Sequence, residues 1–279
     1  MGLLFPMSPM SPMSPMSPIC PIVFPKDAFM ELSKVTDYLS SLFADYICED
    51  YSNNGLQVEA SSQVSKVAFA VDGCLESISQ AADAGAQLLV VHHGISWGNG
   101  FKRITGADAL RLKLMFERGV SLFGMHLPLD AHVKYGNNAV IAEMLGLRDT
   151  RRFCDVRGMK IGICGTPATN SLQELNAMIA SSKISPATRV FDNTNGKITR
   201  VGVISGQCSD QMEICRQEGI DCFVTGEVVH SIFHSAKEHK VSIIAAGHYA
   251  TETWGVKALM PLVSSLGLET VFLDVPTGL

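Results

Sequence analysis

From Glu31 onward the chain alternates between two rhythms of apolar and polar positions. Residues 32–42 repeat their apolar positions every three to four residues, which predicts an amphipathic helix. A polar loop follows, Ser52-Asn53-Asn54-Gly55-Leu56-Gln57. Continuous apolar runs over 66–71, 87–91 and 120–125 predict strands buried on both faces, the habit of parallel sheets. Between them 75–84 and 107–118 carry helical patterning and stop at Gly85 and Gly119. Strands alternating with helices of this length imply crossover connections and a mainly parallel α/β sheet, with helices packed on its faces.

The same order returns in the second part of the chain. The stretch 197–204 answers the run around 64–70, and 218–224 answers 84–90 at one constant offset. In that alignment Thr225-Gly226-Glu227 stands where Val91-His92-His93 stood. A helix over 231–239 and a strand over 241–246 complete the copy. The expected organisation is therefore a first α/β half over 30–144, a connector with inserted elements over 145–196, and a second half over 197–279.

Residues 1–29 differ in kind. Pro-Met-Ser repeats run from Pro6 to Pro18, and the first charge is Lys26. Prolines this dense favour an extended, unpacked chain, so this stretch is expected to be a disordered extension. A secretory signal would need a basic start and an unbroken apolar stretch, and it has neither.

Charge and composition narrow the picture further. A net charge of −5 and 18% charged residues lack the basic footprint of a nucleic-acid binder. No apolar run approaches the ~20 residues that cross a bilayer. Eight cysteines are scattered without a CxxC pair, which fits a reducing cytoplasm. Cys208, Cys215 and Cys222 recur every seventh position but fall on different predicted elements, so they are read as small buried side chains.

The chemistry concentrates at strand ends. The first-half strand over 87–91 is followed by His92-His93. Two other runs end on a histidine four positions before a carboxylate: His126-Leu127-Pro128-Leu129-Asp130 and His248-Tyr249-Ala250-Thr251-Glu252. In open α/β sheets ligands bind beyond the carboxyl ends of the strands, where all of these fall. Imidazole with carboxylate suits zinc, iron, manganese or nickel, so the ion's identity stays open. Adjacent histidines point to opposite faces of a regular strand, but past its end Gly94 frees the backbone to turn both toward one cavity. Two ions ~3.5–4 Å apart would activate water and polarise a phosphoryl or carbonyl-like centre.

Other residues take supporting parts. Pro128 bars regular helical geometry for His126 unless it lies in a first turn, which leaves His126 as a proton carrier or as a group orienting Asp130. Glu227, in the repeat position of His93, is a general-base or orienting candidate, with a helix N-terminal acid as the alternative. His234 is expected to pack or line a cavity wall, and His132 and His239 to be solvated. Lys102 and Arg103 could meet a substrate phosphate or simply be a solvated pair. No P-loop, GxGxxG or GxSxG occurs, against the common nucleotide-cofactor and serine-hydrolase machines.

At these residues the chain resembles the GTP cyclohydrolase type-2 homologues, also called NGG-one-interacting-factor-three-like proteins. The carrying stretches are Asn53-Asn54-Gly55-Leu56-Gln57-Val58, Val91-His92-His93-Gly94, His126-Leu127-Pro128-Leu129-Asp130-Ala131-His132, Tyr135-Gly136-Asn137-Asn138, Thr225-Gly226-Glu227 and Gly247-His248-Tyr249-Ala250-Thr251-Glu252. The resemblance spans about 33–276 and implies two intertwined α/β repeats about a pseudo-dyad. It also implies two divalent metal ions per subunit, held by His92, His93, Asp130, His248 and Glu252, in a toroidal homohexamer whose sites face the inner cavity. The Pro-Met-Ser extension is not a family feature, and Tyr249 stands where some members carry a second histidine, which would put a phenol near the metals. The activity the family name implies is hydrolytic opening of the guanine ring of GTP, making a nucleotide or related phosphorylated compound the expected small-molecule substrate. A metal-binding interaction or metal-handling protein without turnover is the alternative.

Overall fold

The structure is a computed structural model that describes residues 29–46, 48–207 and 212–279. The expected disordered extension, apart from Phe29, lies outside the described residues, as does Cys208.

The first half runs β1 (Met30–Glu31), α1 (Leu32–Leu42), β2 (Gly55–Val58), β3 (Gln63–Val64), β4 (Lys66–Asp72), α2 (Leu75–Asp83), β5 (Leu88–His93), α3 (Gly106–Arg118), β6 (Ser121–Gly124), α4 (Leu127–Ala131) and α5 (Asn137–Met144). Next come β7 (Arg148–Val156), β8 (Met159–Thr166), α6 (Leu172–Ser181) and β9 (Arg189–Phe191). The second half runs β10 (Val201–Gln207), α7 (Met212–Gln217), β11 (Cys222–Glu227), α8 (Ile232–Glu238), β12 (Ser242–Ala245), α9 (His248–Ser264) and β13 (Glu269–Phe272). Helix α1 occupies its predicted span. Within the stretch 197–204, strand β10 begins at Val201, from which the chain pairs with both β8 and β11.

Two sheets carry the fold. One has the order β13-β4-β5-β6-β2, parallel except for β2, and the other the order β7-β8-β10-β11-β12-β9. In the second only β10, β11 and β12 are mutually parallel. Strands β7, β8 and β9, from the stretch 145–196, extend this sheet at both edges. The repeat is legible in the register: Val67 pairs with Leu88 as Val201 pairs with Cys222, and Ala70 with Val91 as Ile204 with Thr225.

One helix of each half, α4 in the first and α9 in the second, packs on the other half's sheet. Leu127 and Ala131 of α4 are buried with Phe153, Ile161, Ile204 and Phe223 of the six-stranded sheet. Val256, Leu259 and Val263 of α9 pack with Val67, Phe69, Leu88 and Phe123 of the five-stranded sheet, beside Leu32, Val35 and Leu39 of α1. Burying one such large apolar side chain stabilises by about 1.5–3 kcal/mol, so neither half would be indifferent to losing the other's helix. The two α/β repeats are thus intertwined, and the crossing helices bring residues from both to one place. Among the described residues no helix is long and apolar enough to cross a membrane.

Candidate metal centre

Strand β5 runs through both histidines rather than stopping at Val91, pairing His93 with Asp72 of β4. The two rings nevertheless meet, with centroids 4.6 Å apart. Each is tied from behind at Nδ1: His92 donates to the Met125 carbonyl at 3.0 Å, and His93 to the Asp72 carboxylate at 2.9 Å. Their Nε2 atoms are left facing forward. Just beyond, a Cβ on Gly94 would collide with the Gln57 amide. That amide accepts from the Ile95 and Ser96 N–H groups and so fixes the turn out of the strand.

Helix α4 starts with Pro128 in its first turn, so the proline lacks only an N–H that no helical carbonyl would have accepted. His126 is the residue before the helix, and its Nδ1 bonds Asp50 at 2.8 Å. Asp130 follows inside it. Asn137 and Ser205 both donate to its Oδ1, at 2.9 and 3.0 Å, which aims Oδ2 at His92 Nε2, 3.6 Å away.

Helix α9 supplies the other side. Gly247 precedes it with φ +87°, and His248 and Glu252 stand one turn apart on the same face. His248 Nδ1 is held by Glu227 at 2.8 Å, leaving Nε2 3.1 Å from Glu252 Oε1. Glu252 is central. Its Oε1 is also 3.5 Å from His92 Nε2, and its Oε2 is 3.4 Å from His93 Nε2. Gly206, at φ +63° in β10, makes room for it, since a Cβ there would overlap the Glu252 carboxylate.

This arrangement fits a metal. Four imidazoles have Nδ1 anchored to a carbonyl or carboxylate, the usual support that orients a histidine ligand. His92 Nε2 and Glu252 Oε2 are buried without a hydrogen-bond partner. Buried polar atoms are rarely left so, and a cation accounts for both at once. Two groups could each hold an ion, His92–His93–His126 and His93–His248–Glu252, with the donor atoms of each within 4.8 Å of one another.

The carboxylates and imidazoles also set one another's acidity. Burial works against a charged His92, yet Asp130 and Glu252 push its pKa up to about 10. Burial likewise opposes charge on His248, but Glu252 and then Glu227 raise it to about 9. Burial favours a neutral Glu252, and His92, His248 and His93 outweigh that to hold it well below the usual carboxylate range.

The structure gathers His92, His93, His126, Asp130, His248 and Glu252 around one point. Glu227 stands behind His248 instead of facing that point. The expected mirror between His126 and His248 is one residue off. Gly124 pairs with Val91 as Ala245 pairs with Thr225, so the counterpart of His126 is Gly247. Tyr249 turns away from the centre: its hydroxyl donates to Asp274 and accepts from the Val275 N–H. His132 is 8% exposed, not solvated, stacked on Tyr46 at 4.7 Å with Nδ1 accepting from two backbone N–H groups. His239 is half-buried near Glu213, and His234 is exposed rather than packed.

Sequence reasoning gave no role to Asp50, Asp72, Asn137, Asn138 or Ser205, although Asn137 and Asn138 stand in one of the stretches that carry the resemblance. Asp72 carried a signal, as the polar last residue of an apolar strand beside His93. Ser205, by contrast, sits inside an apolar run. Beside Glu227 opens a cavity of about 380 Å³ lined by Gly226, Gly247, Thr188, Arg189 and Phe191.

Comparison with known proteins agrees in extent. The profile of the Duf34/NIF3 family (NGG1p interacting factor 3) matches residues 30–277. A Pyrococcus abyssi protein named GTP cyclohydrolase 1 type 2 homolog is 39% identical over 252 residues, covering 90% of this chain and 100% of that protein. One of the same name from Treponema pallidum is 38% identical over 272 residues, 85% of this chain and 95% of its own. Among solved structures, a Thermus thermophilus protein superposes with a TM-score of 0.79 at 37% identity, covering 90% of this chain and 100% of the other.

Proposed function

The chain belongs to the Duf34/NIF3 family, and on that premise we propose that it is a dinuclear metal-dependent hydrolase acting on a nucleotide, with ring opening of GTP as the candidate reaction. The carrying observation is the buried pair His92 Nε2 and Glu252 Oε2, both without a partner amid three further imidazoles and Asp130. In this reading His92, His93, Asp130, His248 and Glu252 would hold the two ions. The ions supply a Lewis-acidic centre that activates water and stabilises developing negative charge.

The remaining parts follow from the chain's own residues. His126 carries the proton, since Asp50 grips its Nδ1 and its ring stands 5.1 Å from His92 and 5.6 Å from His93. Burial works against a charged Asp50, but the His126 and Asn54 hydrogen bonds hold it at about 2, so it stays an anion able to support an imidazolium. Glu227 keeps His248 in the tautomer that offers Nε2 to the centre.

The deciding experiment loads the protein with zinc, iron, manganese or nickel and follows GTP and a nucleotide panel chromatographically. Turnover that disappears in Asp130→Ala, with the fold retained, supports the reading. Absence of turnover with every metal rejects it in favour of a metal-holding role.

A further inference from the structure

We infer that Trp97 is a stacking platform for the planar heterocycle of the substrate, a specificity-determining residue beside the metal centre. This rests on the nucleotide-directed reading above, and it adds a recognition element that the metal ligands do not provide.

The side chain is held in place yet left open. Trp97 keeps 39% of its surface exposed, although it lies at the edge of the histidine and carboxylate cluster. Its ring meets His126 edge to face, with centroids 5.2 Å apart, and stands 6.1 Å from His93. A large aromatic left exposed at a functional cleft is informative where a scattered surface residue would not be.

Rigidity separates this tryptophan from an ordinary loop residue. Its indole Nε1 donates to the Gly94 carbonyl at 2.9 Å, which ties the ring to the turn that ends β5. Its backbone forms a bridge with Ser52, and on either side Asn53 donates to the Ser96 carbonyl and Gly98 to that of Tyr51. The Gln57 amide accepts from Ile95 and Ser96 while donating to Asn53 O, so the loop is stitched to the polar segment before β2. A ring fixed in this way cannot retreat to bury itself, and its ordering cost is already met before a ligand arrives.

The chemistry selects a flat ligand. Stacking on an aromatic face recognises any base through its π surface, whereas a site adapting to irregular apolar groups uses flexible side chains such as methionine. A heterocycle against Trp97 would lie next to His126 and His93, within reach of the centre that reacts with it. A sugar phosphate without a base has no π face to stack on the indole.

The chain has two tryptophans, so Trp254→Phe leaves Trp97 as the sole tryptophan, which is excited selectively over the tyrosines at the red edge. The zinc-loaded full chain carrying that change is titrated with guanosine, and with ribose 5-phosphate as the non-planar control. Saturable quenching by guanosine alone is expected. Isothermal titration of guanosine into Trp97→Leu should show a Kd raised at least about ten-fold, with Trp97→Phe within about three-fold of the parent, as stacking on a retained ring predicts. Zinc content and circular dichroism should be unchanged in both variants. An equal response to the two ligands, no guanosine binding, or equal losses in the leucine and phenylalanine variants would overturn the proposal. Guanosine stacking without GTP turnover leaves the platform standing and removes the hydrolase. Turnover with an unaltered guanosine Kd in Trp97→Leu does the reverse.

Discussion

The two repeats place residues of opposite role in the same structural slot. His93 ends β5 and Glu227 ends β11, each paired with the last residue of the preceding parallel strand. In the first half that slot faces the centre, and Asp72 supports it from the neighbouring strand. In the second half the slot itself supports, by holding His248 on the helix beyond. The helices differ in the same sense. Helix α4 spans Leu127–Ala131 and delivers one carboxylate, while α9 spans His248–Ser264 and delivers both an imidazole and the central glutamate. A duplicated scaffold has thus become a site with a donor-rich strand end on one side and a donor-rich helix on the other.

The sharpest way to break this division is at Glu252, whose carboxylate lies within 3.5 Å of histidines from both halves. Glu252→Ala should lose at least one ion per chain by elemental analysis while circular dichroism stays that of the parent. Retention of both ions would show that each half holds its metal alone. Gly206→Ala acts on the same carboxylate from the backbone. A side chain there meets Glu252 and must adopt φ +63°, so a loss of ~1–3 kcal/mol in urea unfolding is expected together with weaker metal binding. Unchanged metal affinity in that variant would mean that Glu252 has room to spare.

The supporting residues test whether the swapped roles are equivalent. Asp72→Asn and Glu227→Gln each remove a carboxylate behind one imidazole, and each should weaken metal binding by about 10–100-fold in competition with a chelator. Gln207, the counterpart of Asp72, touches no histidine of the centre among its described contacts, and Gln207→Ala should leave affinity alone. If Glu227→Gln bound metal normally while Asp72→Asn did not, the second half would be the less constrained one.

Acidity separates the empty site from the loaded one. His92 and His248 titrate at about 10 and about 9 in the metal-free protein, above the ~6.5 of an unfolded histidine. Raised folded values mean that their ion pairs stabilise fully below about pH 6.5 and are lost as pH rises through 9 to 10. The Tm of metal-free protein should therefore fall across pH 7–10, and metal loading should release protons and flatten that slope. A metal-free Tm flat over the same range would contradict the charged cluster.

The alternation of strand and helix, the repeat, and the histidines and carboxylates at strand ends were all legible in the pattern of residues. Strong periodicity and a rare residue type at a recurring place are local signals. What was not legible depends on distance in space. Asp50 reaches His126 from the loop after α1, and Ser205 turns toward Asp130 only because α4 crosses onto the other sheet. His132 reads as a polar residue after a helix, and only the stacking of Tyr46 and Tyr135 around it shows that it is buried. The one-residue offset between His126 and His248 follows from strand register, which identical spacing in the sequence concealed.

Tyr249 gives the smallest and most discriminating test of where the second half's contribution stops. It adjoins His248, and by resemblance it was expected near the metals, yet its hydroxyl binds Asp274 and the Val275 N–H at 2.8 Å each. Burial and the Asp274 carboxylate both keep the phenol protonated, so it donates to the acid and accepts from the amide. Tyr249→Phe should cost about 0.5–1.5 kcal/mol, the net value of such bonds, by loosening the segment after β13. Because His248 is held by Glu227 of β11 and faces Glu252 of its own helix, with no contact to this phenol's hydroxyl partners, metal content and affinity should equal those of the parent. A metal loss comparable to that of Glu227→Gln would instead place Tyr249 in the support of the centre, and extend the second half's share of it by one residue.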